Sequence, residues 1–316
     1  MKVLVTGAAG YIGATLVRLL LETAKVAGQP LAQLALVDRS RPAADDPRVT
    51  AIEGDLADEG VLQRIAAFAP DVTFHLAAVP GGASEADYRL GRSINLQATL
   101  ALFETLADLP AARPPVVVYA STIAVYGTTL PEIVTPTTPL RPPITYGAHK
   151  LACEILLADF SRRGRLDGRS LRLPGIVARP GSSGPGLASA FMSDLLRKLA
   201  AGESYTCPVS PEATAWWMSA QRCAENLLHA AGMDVRAADP ARAWPLPVLR
   251  LSIAQLVDTL ASLYGEERRS LLHYAPQPAL EAVYGRYPVL DDTASRALGL
   301  RDDGSPEDLV RRALAP

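Results

Sequence analysis

Three glycines spaced three apart, Gly7, Gly10 and Gly13, stand between a short apolar run and an amphipathic stretch. No other feature of the 316-residue chain restricts its fold so strongly. Lys2–Thr6 reads as a buried strand. Residues 12–24 set Leu16, Val17, Leu19 and Leu20 on one side, with Arg18 and Glu22 off it, which is helical periodicity. A strand that runs straight into a helix needs a tight corner free of side chains, and glycine provides it. The corner also exposes the unpaired N–H groups and positive dipole end of the helix, which favour an anion. Strand, glycine turn and helix together predict a dinucleotide pyrophosphate on the backbone of Gly7, Gly10, Tyr11, Ile12 and Gly13.

The pattern continues along the chain. Strands are expected at 34–38, 49–53, 72–77 and 116–120, with helices at 59–68 and 90–109 between them. Strands that are apolar throughout and separated by helices indicate a parallel sheet covered on both faces. Right-handed crossovers then give a doubly wound, Rossmann-type α/β fold. Residues 128–145 hold Pro131, Pro136, Pro139, Pro142 and Pro143 and read as an irregular loop. A helix at 146–162, a sixth strand at 171–177 and a glycine-rich loop at 180–186 follow. Helices are expected at 188–201, 220–231 and 252–264. A last helix has Ser305 as N-cap, Pro306 at its first position and Asp308 at capping-box spacing. We divide the chain into a cofactor-binding domain, 1–170, and a smaller mixed α/β substrate domain, 171–316, whose later segments are free to return to the first.

Composition narrows the function. Thirty-one basic residues face 33 acidic ones, for a net charge of −2. No basic field exists to hold a nucleic-acid backbone. Apolar runs such as Leu19-Leu20-Leu21 are far too short to span a membrane. The N-terminus enters a strand at once, without a leader pattern. Cys153, Cys207 and Cys223 are odd in number and lack metal-ligand spacing, so neither a disulfide framework nor a metal site is indicated. A reducing, cytoplasmic setting is expected.

Asp38 ends the second strand, where a carboxylate accepts hydrogen bonds from the adenosine ribose and repels a 2′-phosphate, so NAD is expected rather than NADP. Arg39 beside it weighs the other way. Asp55 and Leu56, after the third strand, are candidates for the adenine pocket. Tyr146 and Lys150 stand four apart on one helix face. The pair alone is weak evidence; its place after the fifth strand, behind a glycine turn, gives it weight. A phenol is a poor base near neutrality. A nearby ammonium and a positive nicotinamide ring would favour the phenolate, which can then take a hydroxyl proton as hydride leaves carbon. Ser121 and Thr122 follow the fifth strand, where such sheets place ligand-contacting groups.

The glycine turn, strand-end hydroxyl and Tyr-x-x-x-Lys, in this order, resemble the extended short-chain dehydrogenase/reductase superfamily. So do His75-Leu76-Ala77-Ala78, Asn95 and Thr122-Ile123-Ala124-Val125-Tyr126-Gly127. The resemblance implies that Thr122 supplies the substrate-orienting hydroxyl, Tyr146 the base, and Lys150 the nicotinamide-ribose contact. Asn95 would support the active site, and Ala77, Ala78, Pro174 and Ile176 would line the cofactor. It also implies a homodimer built on the helices at 95–109 and 146–162. Relatives that act on nucleotide sugars usually carry an asparagine where this chain has Gly175, and an arginine within the stretch matched here by 214–219, which has no basic residue.

Val79-Pro80-Gly81-Gly82-Ala83-Ser84, 157–164, Arg172-Leu173-Pro174 with Arg179-Pro180-Gly181, and Cys207-Pro208-Val209 resemble the branch that oxidises short sugar acids such as erythronate. A small aldonate needs a cation for its carboxylate, and Arg179 is the candidate. Ser84 and Ser121 are candidates for its hydroxyls, and Trp216 and Trp217 for the pocket wall. A nucleotide-sugar epimerase or dehydratase and a non-catalytic NAD-binding regulator are the competing readings.

Overall fold

The computed structural model describes residues 1–40, 45–180, 189–235 and 238–315. From residue 181 on, the expected glycine-rich loop lies outside them, as does the start of the helix expected at 188. The central strands are β1 (Lys2–Thr6), β2 (Gln33–Asp38), β3 (Val49–Glu53), β4 (Val72–His75), β5 (Val116–Thr122) and β6 (Asp167–Leu173). After β7 (Gly175–Val177) and β8 (Thr214–Ser219), which lie elsewhere, β9 (Ala243–Pro245) joins them. Among the described residues these seven pair in the order β9-β6-β5-β4-β1-β2-β3, every pair parallel.

Alternation along each strand divides its apolar residues between two cores. Val3, Val5, Leu34, Leu36, Phe74 and Val118 face α1 (Tyr11–Thr23) and a later helix through Leu16, Leu20 and Leu227. Leu4, Ala35, Val37, Val117 and Tyr119 face the opposite layer. That layer is α2 (Glu59–Phe68), α3 (Thr99–Ala107) and α4 (Thr145–Arg162). The strand order reverses beside β1, so a crevice opens at the carboxyl ends of β1 and β4.

Three sequence expectations are corrected. The strand expected at 171–177 is two strands in two sheets. Leu173 pairs with Thr122 in the central sheet, and Gly175 pairs with Trp217 in a second sheet. Pro174 between them has no N–H to extend a ladder. The helix expected at 90–109 is Tyr88–Arg92, a π-helical turn at Ser93–Ala98, and then α3. The strand β9, three residues ending in proline, carries no periodic signal and was not expected. The second sheet runs β7-β8 with β10 (Leu249–Ser252), β8 and β10 antiparallel. It is flanked by α5 (Ala190–Ala201), α6 (Ala220–Ala230), α7 (Ile253–Tyr264) and α8 (Pro306–Leu314). Among the described residues no helix is long and apolar enough to cross a membrane.

Ser305 caps α8 as expected, accepting from the Asp308 N–H at 3.1 Å. Just before it, buried Asp303 accepts from the Ser219 N–H (2.9 Å) and hydroxyl (2.6 Å). Ser219 in turn caps α6 through the Arg222 N–H at 3.0 Å. The carboxylate therefore ties the end of the chain to the β8–α6 corner. Asp303→Ala leaves a buried N–H without its acceptor and is expected to lower unfolding free energy in urea by about 1–3 kcal/mol. An unchanged transition midpoint would contradict this.

Candidate active site

The glycine turn is built as a backbone cradle. Gly7 adopts φ +70°, and its N–H donates to the Val37 carbonyl at 2.9 Å. A Cβ on Gly7 would stand 2.7 Å from the Ala77 nitrogen. A Cβ on Gly13 would drive into the Gly7 carbonyl oxygen. The first turn of α1 carries neither a side-chain cap nor an acidic residue. A bare, concave helix N-terminus of this kind fits a pyrophosphate. Asp38 stands beside it, accepting from the Ala9 N–H at 3.0 Å and the Ser40 N–H at 3.3 Å. Arg39 is exposed. Asp55 and Leu56 follow β3, with the Asp55 carboxylate accepting from the Ala57 N–H at 2.9 Å. The Ala77 N–H donates to the Thr6 hydroxyl at 3.3 Å, which fastens the strand after β4 to the end of β1. Tyr11 reaches out of the turn and donates from its hydroxyl to the Val177 carbonyl at 3.0 Å.

Thr122 is the last residue of β5; its hydroxyl accepts from the Ala124 N–H at 3.1 Å and meets the Tyr146 phenol. Tyr146 opens α4 and is half-buried. Burial pushes its phenol up to about 12, while the positive charge of Arg179 and the Thr122 hydroxyl pull the other way. Lys150 is 2% exposed. Its ammonium donates to the Ala120 carbonyl at 2.7 Å and lies 4.6 Å from the Tyr119 ring centre and 5.7 Å from that of Tyr146. Thus β5 and α4 bring the three expected residues to one place. His75 lies deeper. Its ring nitrogens meet the Thr6 and Thr99 hydroxyls at 2.6 and 2.9 Å. Burial, with Lys150 nearby, lowers its pKa to about 3, so it stays neutral. Among the described residues no cluster of His, Cys, Asp or Glu is placed to hold a metal.

Other candidates are committed elsewhere. Asn95, in the π-helical turn, accepts from the Val79 N–H (2.7 Å) and donates to the Val79 carbonyl (2.9 Å) and Ser84 hydroxyl (3.1 Å). It fastens the loop after β4 and has no free group for a cofactor. Ser84, fully buried, donates to the Val79 carbonyl at 3.1 Å. Ser121 donates to Glu154 at 2.5 Å, on the opposite side of β5 from Thr122. Glu154 is held by Arg172 at 2.8 Å, and Arg172 also donates to the Tyr126 hydroxyl at 3.1 Å. These hydroxyl protons are spent inside the protein and both side chains are buried, so neither Ser84 nor Ser121 offers a free proton to a substrate. Trp216 and Trp217 are buried, and their indole N–H groups donate to the carbonyls of Pro288 (2.7 Å) and Leu251 (3.0 Å), so neither walls the crevice.

Pro174 is buried and Ile176 partly so, on either side of the strand break. Arg179 follows β7, and among the described residues no carboxylate pairs with it. Its backbone is held by Ser193 and Arg197 of α5, two residues the sequence reading missed. Their only signal was helical spacing of four, which many surface pairs share.

The profile of the NAD dependent epimerase/dehydratase family matches residues 3–235. Two curated relatives bear the name D-erythronate dehydrogenase. The one from Cupriavidus necator is 37% identical, with 98% of this chain and 97% of the relative covered. The one from Haemophilus influenzae is 31% identical, with 99% and 98% covered. A solved structure described as the nucleoside-diphosphate-sugar epimerase from Agrobacterium tumefaciens superposes with a TM-score of 0.92 at 32% identity, covering 98% of this chain and 92% of that one.

Gly13→Ala is expected to abolish the rise in melting temperature that NAD confers on the unaltered protein, because the new methyl group displaces the cradle. An equal rise in the variant would contradict the assignment. Lys150 gives a second expectation. Burial lowers its ammonium pKa to about 8, whereas the unfolded chain holds that proton to about 10.4. The penalty for its buried charge is complete below pH 8 and is relieved as pH rises toward 10.4. The stability difference between the unaltered protein and Lys150→Met, measured in urea at about pH 7 and about pH 9.5, should shift toward the unaltered protein at the higher pH. A difference independent of pH would contradict the burial of a charge.

Proposed function

The chain belongs to the NAD dependent epimerase/dehydratase family, and we propose that within it the protein oxidises a short 2-hydroxy sugar acid of the D-erythronate type to the 2-oxo acid. The observation that carries this reading is Arg179, a cation without a carboxylate partner among the described residues, whose charge acts on the Tyr146 hydroxyl. A cation beside the base suits a substrate whose carboxylate adjoins the carbon being oxidised. Room for a larger ligand is reduced nearby. A Cβ on Gly175 would stand 2.7 Å from Met192 Cε and 3.0 Å from the Trp216 carbonyl, so the position that carries asparagine in nucleotide-sugar enzymes is filled by the protein itself.

In this reading the glycine turn holds the cofactor pyrophosphate, Asp38 the adenosine ribose and Lys150 the nicotinamide ribose. Asp55, Leu56, Ala77, Ala78, Pro174 and Ile176 border the same groove. NAD, when bound, supplies a hydride acceptor with a positively charged ring. Tyr146 takes the proton of the C2 hydroxyl as that carbon is oxidised. Thr122, whose hydroxyl meets the Tyr146 phenol, donates to the same oxygen once substrate is bound and fixes it beside the phenol. Arg179 holds the carboxylate by two parallel hydrogen bonds. The division near residue 170 into cofactor and substrate domains is part of this proposal, with 171–173 and Ala243–Pro245 contributed to the central sheet. A reducing, cytoplasmic setting is supported by three buried free thiols. A homodimer is supported by exposed Tyr88 and Leu90 on the short helix before Asn95 and exposed Ile155 on α4.

A second reading, interconversion of nucleotide sugars without net NADH, is favoured by the likeness to the Agrobacterium structure. One experiment separates the two. Purified protein with NAD and D-erythronate is expected to accumulate NADH. Tyr146→Phe is expected to lose about 10²–10⁴-fold or more of that rate while still binding NAD. Epimerisation of a nucleotide sugar, with no NADH from any four-carbon 2-hydroxy acid, would establish the second reading instead.

A further inference from the structure

We infer that α5 is a specificity element: Ser193 and Arg197, one helical turn apart, grip the backbone of Arg179 from both sides and so aim its guanidinium at the substrate carboxylate. The inference rests on the reading of the site given above and adds two residues that make no contact with substrate themselves. Arg197 and Ser193 are positioning residues.

The geometry is specific. The Arg179 N–H donates to the Ser193 hydroxyl at 3.1 Å, and the Arg197 Nη1 donates to the Arg179 carbonyl at 2.9 Å. Ser193 is itself buried. Residue 179 lies two positions beyond β7, where among the described residues no strand pairs with its backbone groups. A third bond fixes the same segment from the other side, the Tyr11 hydroxyl on the Val177 carbonyl. Three side chains from two elements therefore hold the segment from Val177, at the end of β7, to Arg179. The helix supplying two of them is firmly seated, with Leu195, Leu196 and Leu199 wholly buried and Met192 packed on Gly175. The positive charges of Arg179 and Arg197 both act on the Tyr11 hydroxyl, and that of Arg179 on Tyr146 as well. A flexible arginine binds a planar carboxylate well only when its base is fixed, since the fork geometry tolerates little misplacement.

The test compares Arg197→Met, Ser193→Ala, Arg179→Ala and the double variant Arg179→Ala/Arg197→Met. Arg197→Met is expected to raise KM for D-erythronate about tenfold, with a much smaller change in kcat and in KM for NAD. The dissociation constant of D-erythronate for NAD-loaded protein carrying Tyr146→Phe should rise by the same factor when Arg197→Met is added. The double variant should be no worse than Arg179→Ala alone, because Arg197 acts through Arg179. Ser193→Ala removes the other grip without changing charge and should give the same split even if Arg197→Met fails to fold. Unmoved KM and affinity in both single variants would overturn the clamp, as would a double variant whose losses multiply. Failure of the unaltered protein to oxidise any short 2-hydroxy acid would instead reject the underlying reading, and the clamp with it.

Discussion

The ammonium of Lys150 sits where an unpaired charge is most expensive, between a strand and a helix with almost no access to water. It is tolerated because the Ala120 carbonyl accepts its proton at 2.7 Å and the Tyr119 ring faces it at 4.6 Å. Both partners belong to β5, so the contact locks α4 to that strand at one height. Tyr146 lies one turn earlier on the same helix, and Thr122 ends the same strand; their meeting follows from where the ammonium is satisfied. Gly147 permits the close approach, since a Cβ there would stand 2.8 Å from the Ala124 carbonyl. One turn beyond Lys150, Glu154 meets Arg172 in a second buried charged contact, shared with Ser121 and Tyr126. Removing one member of such a pair typically destabilises by about 3–5 kcal/mol, so α4 is held by two successive turns of its buried face.

Much of this was legible in the sequence, for physical reasons. Glycines at a strand–helix corner and a Tyr–Lys pair at helical spacing are local signals, and the cradle and the three clustered residues came from them. What the sequence hid depends on partners far along the chain. Pro174 divides one apolar run between two sheets, and periodicity cannot report which sheet a residue joins. The π-helical turn that directs Asn95 onto Val79 leaves the apolar pattern of the helix nearly unchanged. Ser121 and Ser84 carry the right group beside the site, yet their protons go to Glu154 and the Val79 carbonyl. Strand alternation could have told Ser121 from Thr122; nothing local could have told where Ser84 points.

The family's fold hosts more than one chemistry, so the reaction is decided by groups at the crevice rather than by the sheet. In the proposed reading the base and hydroxyl come from β5 and α4, and the groups that select substrate come from the end of the second sheet and α5. Met192 fills the space beside Gly175, and the charge of Arg179 favours the ionised form of the Tyr146 phenol. The glycine turn and the segment after β7 meet at the Tyr11–Val177 hydrogen bond. In the proposed reaction, substrate size and charge are set by a few side chains on one short segment, while the strand ends keep the cofactor and base in register.

In the proposed reaction the C2 carbon of a short 2-hydroxy acid gives up its hydrogen to NAD at this site. The most direct measurement uses D-erythronate deuterated at C2 and follows the label by mass spectrometry. The account predicts one deuterium in NADH for each 2-oxo acid formed, with a slowed rate for the labelled substrate. Label retained in the sugar acid, or released to water with no labelled NADH, would contradict it.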